Sequence, residues 1–85
     1  MSKELLIEPT ENVPKKGGKY RHFKSEEMKY EIVGLAYNTV SEEWDVVYKS
    51  LYNTGAELFT RSLNNWNEPI SRENYQGSRF ILLEN

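Results

Sequence analysis

The residues best suited to chemistry stand together at Tyr20-Arg21-His22-Phe23, with Lys24 adjoining. Aromatic rings interleaved with cations can stack bases and hold phosphates, as single-strand binding surfaces do. His22 is the one side chain whose ordinary titration lies near neutral pH. Simple alternation along a first strand also produces this run, with two aromatics in the core and Arg21 and His22 pointing outward. As a lone histidine without a neighbouring base or nucleophile, His22 then reads as a hydrogen-bonded surface or rim residue.

A second candidate is Arg61, joined by Tyr48 and Glu31. An arginine facing a barrel mouth could bind an anion bidentately. The competing reading is a buried ion pair that fixes the fold, with Glu31, Glu57 or Glu68 as partner. A third candidate is the aromatic set Tyr37, Trp44, Tyr52, Phe59 and Trp66. Aromatic-lined grooves on small barrels take proline-rich peptides. With only 38% hydrophobic residues, the chain must spend most of these rings on its core. Trp44, beside Glu42, Glu43 and Asp45, is the one expected to be exposed.

Signatures of catalysis and of metals are missing. Ser25, Ser41, Ser50, Ser62, Ser71 and Ser78 stand outside any nucleophile-elbow context. One histidine and no cysteine give no nucleophile–base pair. Gly17-Gly18 is not followed by the Gly-Lys-Ser/Thr ending of a phosphate loop. Glu26-Glu27 and Glu42-Glu43 fall in expected turns, where a solvated face is the default. No carboxylate cluster around His22 has metal-ligand spacing. No cofactor and no metal are therefore expected, and the sequence reads as a non-enzyme.

The elements that must position these residues fit in one domain, since the chain has 85 residues. A chain of this size buries only about 60% of its unfolded surface, so the core is thin. Disulfides and thiolate metal sites are excluded by the absence of cysteine, which fits a reducing compartment. A monomer or a weak homo-oligomer is expected. Leu5 to Ile7 is far short of the roughly 7–15 apolar residues of a secretory signal. No stretch approaches the roughly 20 of a membrane span, so the expected location is cytoplasmic and no membrane partner is expected. The net charge of −2 hides an asymmetry: residues 15–24 hold Lys15, Lys16, Lys19, Arg21 and Lys24 with no acid, against a net −7 elsewhere.

Pro9, Pro14 and Gly17-Gly18 break any regular pattern in residues 1–17, which read as a leader to a domain spanning 18–85. Leu5 to Ile7 could add a short edge strand or pack on the core. Tyr20 to Phe23 suits a first strand. Residues 29–37 are rich in β-branched and aromatic residues, with Gly34 marking a bulge or bend. Residues 45–52 form a second strong strand, with Val46, Tyr48 and Tyr52 on one face and Val47 and Leu51 on the other. Two partly apolar faces point to a strongly curled sheet folded over its own core. After a turn at Asn53-Thr54-Gly55, Leu58 to Arg61 is a short strand. Ser62 then caps a helical turn carrying Leu63 and Trp66, which Pro69 stops. Residues 70–77 read as a loop, and Arg79 to Leu83 as a closing strand. The fold class is mainly β: a small five-stranded barrel with one short helical turn before the last strand.

Four blocks carry a family resemblance. They are Gly18 with Tyr20-Arg21-His22-Phe23-Lys24; Tyr30-Glu31-Ile32-Val33-Gly34-Leu35-Ala36; Val46-Val47-Tyr48 with Leu51-Tyr52; and Phe59-Thr60-Arg61 with Leu63, Trp66 and Glu68, followed by Arg79-Phe80. In order and spacing the chain resembles a family of small bacterial proteins known as domain of unknown function 1653, from Gly18 to near the end. The resemblance implies an SH3-like barrel and brings no established activity. Ser25 stands where the family usually has Gly. Tyr37-Asn38-Thr39 stands where it has Arg-His-Ser, and Arg61-Ser62 where it has Arg-Pro.

The functional expectation is a non-catalytic binding or accessory module. Its partner would be a protein, a peptide or a small anionic ligand held at Tyr20, Arg21, His22, Tyr48 and Arg61. The alternative is a nucleic-acid-binding module that uses Lys15, Lys16, Lys19, Tyr20, Arg21 and Lys24. That alternative requires binding that weakens steeply with salt.

Overall fold

The computed structural model describes residues 6–84. Among them are seven strands and one helical turn: β1 (Lys19–His22), β2 (Lys29–Asn38), β3 (Glu43–Ser50), β4 (Phe59–Ser62), α1 (Leu63–Trp66), β5 (Pro69–Arg72), β6 (Tyr75–Ser78) and β7 (Phe80–Glu84). The architecture is mainly β, in two antiparallel sheets. The five strands expected from the sequence form the larger sheet, in the order β4-β3-β2-β1-β7. No helix among the described residues is long and apolar enough to cross a membrane.

The β2–β3 hairpin is the spine of this sheet. Its ladder runs from Tyr30 opposite Ser50 to Asn38 opposite Glu43. Residues directly opposite share a face. Tyr30, Ile32, Leu35, Val46 and Tyr48 therefore line the inside, and the pair Glu31 and Lys49 the outside. The register shifts between Ile32 and Gly34, so Gly34 does mark a bulge, with φ at +156°. The extra residue bends the strand and raises its twist. Asn38 closes the hairpin, its Oδ1 accepting from the N–H groups of Val40 (2.9 Å) and Ser41 (3.1 Å).

The sheet curls on itself. A flat five-stranded sheet would hold its edge strands about 19 Å apart, four spacings of about 4.8 Å. Here Phe59 on edge strand β4 and Phe80 on edge strand β7 both touch the same Tyr48 ring, at centroid distances of 5.7 and 5.8 Å. The interior is Tyr30, Ile32, Val46, Tyr48, Trp66 and Phe80. Ser62 caps α1 as expected, its Oγ accepting from Asn65 N–H at 3.1 Å. The turn carries Trp66 onto Phe80, where the two rings stack 3.9 Å apart and 6° from parallel.

Several sequence readings are corrected. The expected loop at 70–77 is a hairpin, β5 paired with β6 across the Glu73-Asn74 turn. Its polar composition hid it; Ile70 is its buried apolar side chain. The strand expected over 45–52 ends at Ser50, and Leu51 is exposed. Tyr52 still reaches the core, because its hydroxyl hydrogen-bonds that of Tyr30 at 2.8 Å. Leu5 lies outside the described residues, while Leu6 and Ile7 are exposed and outside any strand. The end of the leader is attached to the sheet. Gly17 N–H donates to the Ile32 carbonyl (2.8 Å), Ile32 N–H donates to the Gly18 carbonyl (2.9 Å), and Pro14 is buried.

Candidate functional site

Strand β1 sorts its residues by parity. Tyr20 faces Tyr30, and His22 faces Phe80, so Tyr20 and His22 both point inward. Lys19 and Arg21 take the other face, opposite Glu31 and Lys29. The expected outward His22 is thereby corrected: it is 8% exposed. Tyr20 and Phe23, three apart, cannot share one face of a strand. Phe23 has instead left the strand and stacks on the His22 ring at 4.8 Å. Tyr20 packs its edge against Trp66 at 5.4 Å.

Around His22 the fold gathers three of the chain's four arginines, Arg61, Arg72 and Arg79, while Arg21 touches only its backbone. Arg61, on the inner face of β4 opposite Val46, places its guanidinium 5.3 Å from the Phe80 ring centre. That ring meets His22 edge-on at 5.4 Å. Arg72, at the end of β5, lies 5.7 Å over Phe23. Tyr75, its partner across the hairpin, stacks on the same ring at 5.0 Å. Arg79 joins through its backbone, its carbonyl accepting from Phe23 N–H at 2.9 Å. Arg21 donates from Nη1 to the His22 carbonyl at 3.4 Å. Lys24 N–H donates to His22 Nδ1 at 3.2 Å.

This crowd controls the histidine. Burial, then the positive charges of Lys24, Arg61, Arg79 and Arg72, hold the imidazole below its ordinary 6.5, so it is neutral at physiological pH. With Nδ1 accepting a hydrogen bond, the neutral ring carries its proton on Nε2. Glu68 meets Arg79 at 3.0 Å, the one ion pair these arginines make among the described residues. Arg61 donates to Asn65 Oδ1 at 2.5 Å. The expected Arg61–glutamate pair is not formed, since Glu31 pairs with Lys49 and Glu68 with Arg79. Arg79 Nε is the one buried side-chain nitrogen or oxygen among the described residues without a hydrogen-bond partner.

Tyr48, named with Arg61 as a ligand contact, is 5% exposed and packs among Tyr30, Phe59, Trp66 and Phe80, so it serves the core. Arg72 and Arg79 were missed. Arg72 lies in what reads as a loop, and Arg79 at the expected start of a strand; the Phe23 ring holds Arg72 over it, and the Phe23 N–H holds the Arg79 carbonyl. No group of three metal-ligating side chains gathers among the described residues.

Trp44 is half-buried and meets Tyr37 edge-on at 5.4 Å. With Pro9, Glu43, Ser62, Leu63 and Asn64 it lines a cleft of about 250 Å³.

Residues 18–82 match the family model described as "Protein of unknown function (DUF1653)". The chain belongs to the DUF1653 family. Its structure is similar to the crystal structure of a DUF1653 protein from Bordetella bronchiseptica, with 35% identity and a TM-score of 0.70, over 80% of this chain and 86% of that one. No curated protein matches it. All the arginines at His22 fall within the matched DUF1653 segment. Ser25, Asn38 and Ser62 each serve local structure. Ser25 Oγ accepts from Glu27 N–H, Asn38 closes the β2–β3 turn, and Ser62 caps α1.

Proposed function

We propose that this DUF1653 protein is a non-catalytic module that binds a small anionic ligand at the arginines around His22. The observation that supports this is the gathering itself. In a chain of net charge −2, three of the four arginines, Arg61, Arg72 and Arg79, lie with Lys24 near one histidine, and among the described residues one carboxylate is ion-paired with them. Like charges brought together repel, and the field they make in a partly buried site attracts an anion. Arginine is well suited to hold one, because its planar donors match carboxylate and phosphate oxygens.

The non-catalytic part of the reading rests on the lone pair of His22. A neutral imidazole has one basic nitrogen, and here Lys24 N–H already occupies it. The nucleic-acid alternative is less favoured, because Tyr20 is half-buried against Trp66 while Lys19 and Arg21 lie on the opposite face of β1. A base would have no ring there on which to stack.

Amide NMR titration of the labelled protein with small carboxylates, phosphates and sulfates tests the reading. Shifts should cluster at His22 to Lys24, Arg61, Arg72 and Arg79. An unmoved spectrum with every anion would remove it. A second reading has its own observation: Pro9 of this chain lines the Trp44 cleft, as a residue of a proline-rich peptide would. A proline-rich peptide that shifted Trp44, Leu63 and Asn64 would favour that reading instead.

A further inference from the structure

We propose that the anion held here is a phosphate dianion, free or as a small phosphomonoester, with Arg79 Nε donating to one of its oxygens. This rests on the anion-binding reading above and adds the chemical class of the ligand. Three observations carry it.

The first is charge. Lys24 beside His22, Arg61 over Phe80, Arg72 over Phe23 and Arg79 hydrogen-bonded to Phe23 bring four cations near a neutral His22, and Glu68 offsets one of them. A carboxylate would leave two positive charges unbalanced in a partly buried setting. A dianion leaves one.

The second is origin. The cations come from four places in the chain: the turn after β1, the inner face of β4, the end of β5 and the residue before β7. One guanidinium fork from one side satisfies a planar carboxylate. A phosphoryl group spreads three acceptor oxygens and suits donors that arrive from several elements.

The third is the state of Arg79. Its Nη2 is on Glu68, while its Nε is buried without an acceptor. A buried donor left without a partner is costly, so an oxygen placed there is rewarded. Lys24 and Arg72 are exposed, whereas Arg61 and Arg79 are half-buried. An anion therefore meets the outer pair first, and a side-chain adjustment of Arg79 brings Nε to it.

Binding should also change His22. Lys24 on its own turn, Arg61 from β4, Arg72 from β5 and Arg79 before β7 all oppose its protonation. A dianion among them offsets that field, so the midpoint of the imidazole moves up.

The test is calorimetric titration of the full chain at about pH 7.5, where phosphomonoesters are dianionic. Inorganic phosphate, glycerol phosphate and acetate are compared at equal ionic strength, and the imidazole nitrogens of His22 are followed by NMR across pH. Either phosphate should bind about tenfold or more tighter than acetate and raise the His22 midpoint. The tighter of the two shows whether the free ion or the ester is the form held. Arg79→Lys keeps the charge but removes Nε, and should lose about tenfold in phosphate affinity. Arg79 is half-buried, so the exposed Arg72→Gln provides a variant expected to fold normally and bind phosphate several-fold more weakly. Equal binding of acetate and phosphate would overturn the phosphate inference and leave the anion reading standing. No binding of any of the three would overturn both. Phosphate binding unchanged in both variants would place the ion elsewhere and overturn the inference.

Discussion

A neutral histidine among cations makes folding pH-dependent in a direction that can be worked out. His22 is held below 6.5 in the folded chain by burial and by Lys24, Arg61, Arg79 and Arg72. In the unfolded chain it returns to its ordinary value of about 6.5. Below that pH the unfolded chain takes up a proton that the folded chain does not. Stability is therefore full above about pH 6.5 and falls as the pH drops toward the folded midpoint. The melting temperature should decline between about pH 7 and 5.5, before most carboxylates titrate. His22→Gln should flatten that decline. A variant with the same slope as the parent would show that other groups cause it. None of this was legible at Tyr20-Arg21-His22-Phe23 itself. The run contains two aromatics that look like core partners, yet their spacing of three defeats strand parity. The inward partner of Tyr20 is His22, two residues on.

Elements were easier to read where both faces of a strand carry apolar side chains. The strands expected over 29–37 and 45–52 declare themselves through Ile32, Val33, Leu35, Val46, Val47 and Tyr48, and the structure has them at 29–38 and 43–50. Ser62, Trp66 and Pro69 likewise spell out a capped and stopped helical turn. The β5–β6 hairpin was illegible, because its four-residue strands contain only Ile70 and Tyr75 as large apolar or aromatic side chains besides Pro69. Phe23 supplies what they lack, since Tyr75 stacks on it and Arg72 lies over it. Gly77 makes that arrangement possible. At φ +153°, an added Cβ would sit 2.9 Å from Tyr75 Oη. That hydroxyl donates to the Ser78 carbonyl at 2.6 Å, so it cannot yield without losing a bond. Gly77→Ala should cost about 1–3 kcal/mol. It should also speed amide hydrogen exchange in β5 and β6 before the larger sheet is affected. Unchanged exchange in the hairpin would mean that the Tyr75 contacts do not hold it in place.

For the molecule as a whole, the question is where the cooperative unit begins. The family match starts at Gly18, and a reading by composition puts the boundary there too. The hydrogen bonds put it earlier. Gly17 N–H serves the carbonyl of Ile32, a residue only 1% exposed, and Asn67 Nδ2 ties α1's end to the Asn12 carbonyl at 2.7 Å. Pro14 is buried between these two attachments. A curled sheet of this size has no second layer of its own over every strand, so a covering segment matters more than its composition implies. Taking away residues 1–17 would leave the Ile32 carbonyl without that donor and uncover the ground beneath Pro14. The loss should be about 1–3 kcal/mol, a large part of the 5–15 kcal/mol of an ordinary domain. Removing only residues 1–8 takes no buried side chain from the described residues, since Leu6, Ile7 and Glu8 are exposed, and the midpoint should hold. Urea unfolding of the two truncated chains beside the full one separates the cases. A midpoint that drops for the chain starting at Gly18 and holds for the chain starting at Pro9 places the attachment in residues 9–17. Equal midpoints for all three would make that segment an appendage, and the domain would then begin where the family match does.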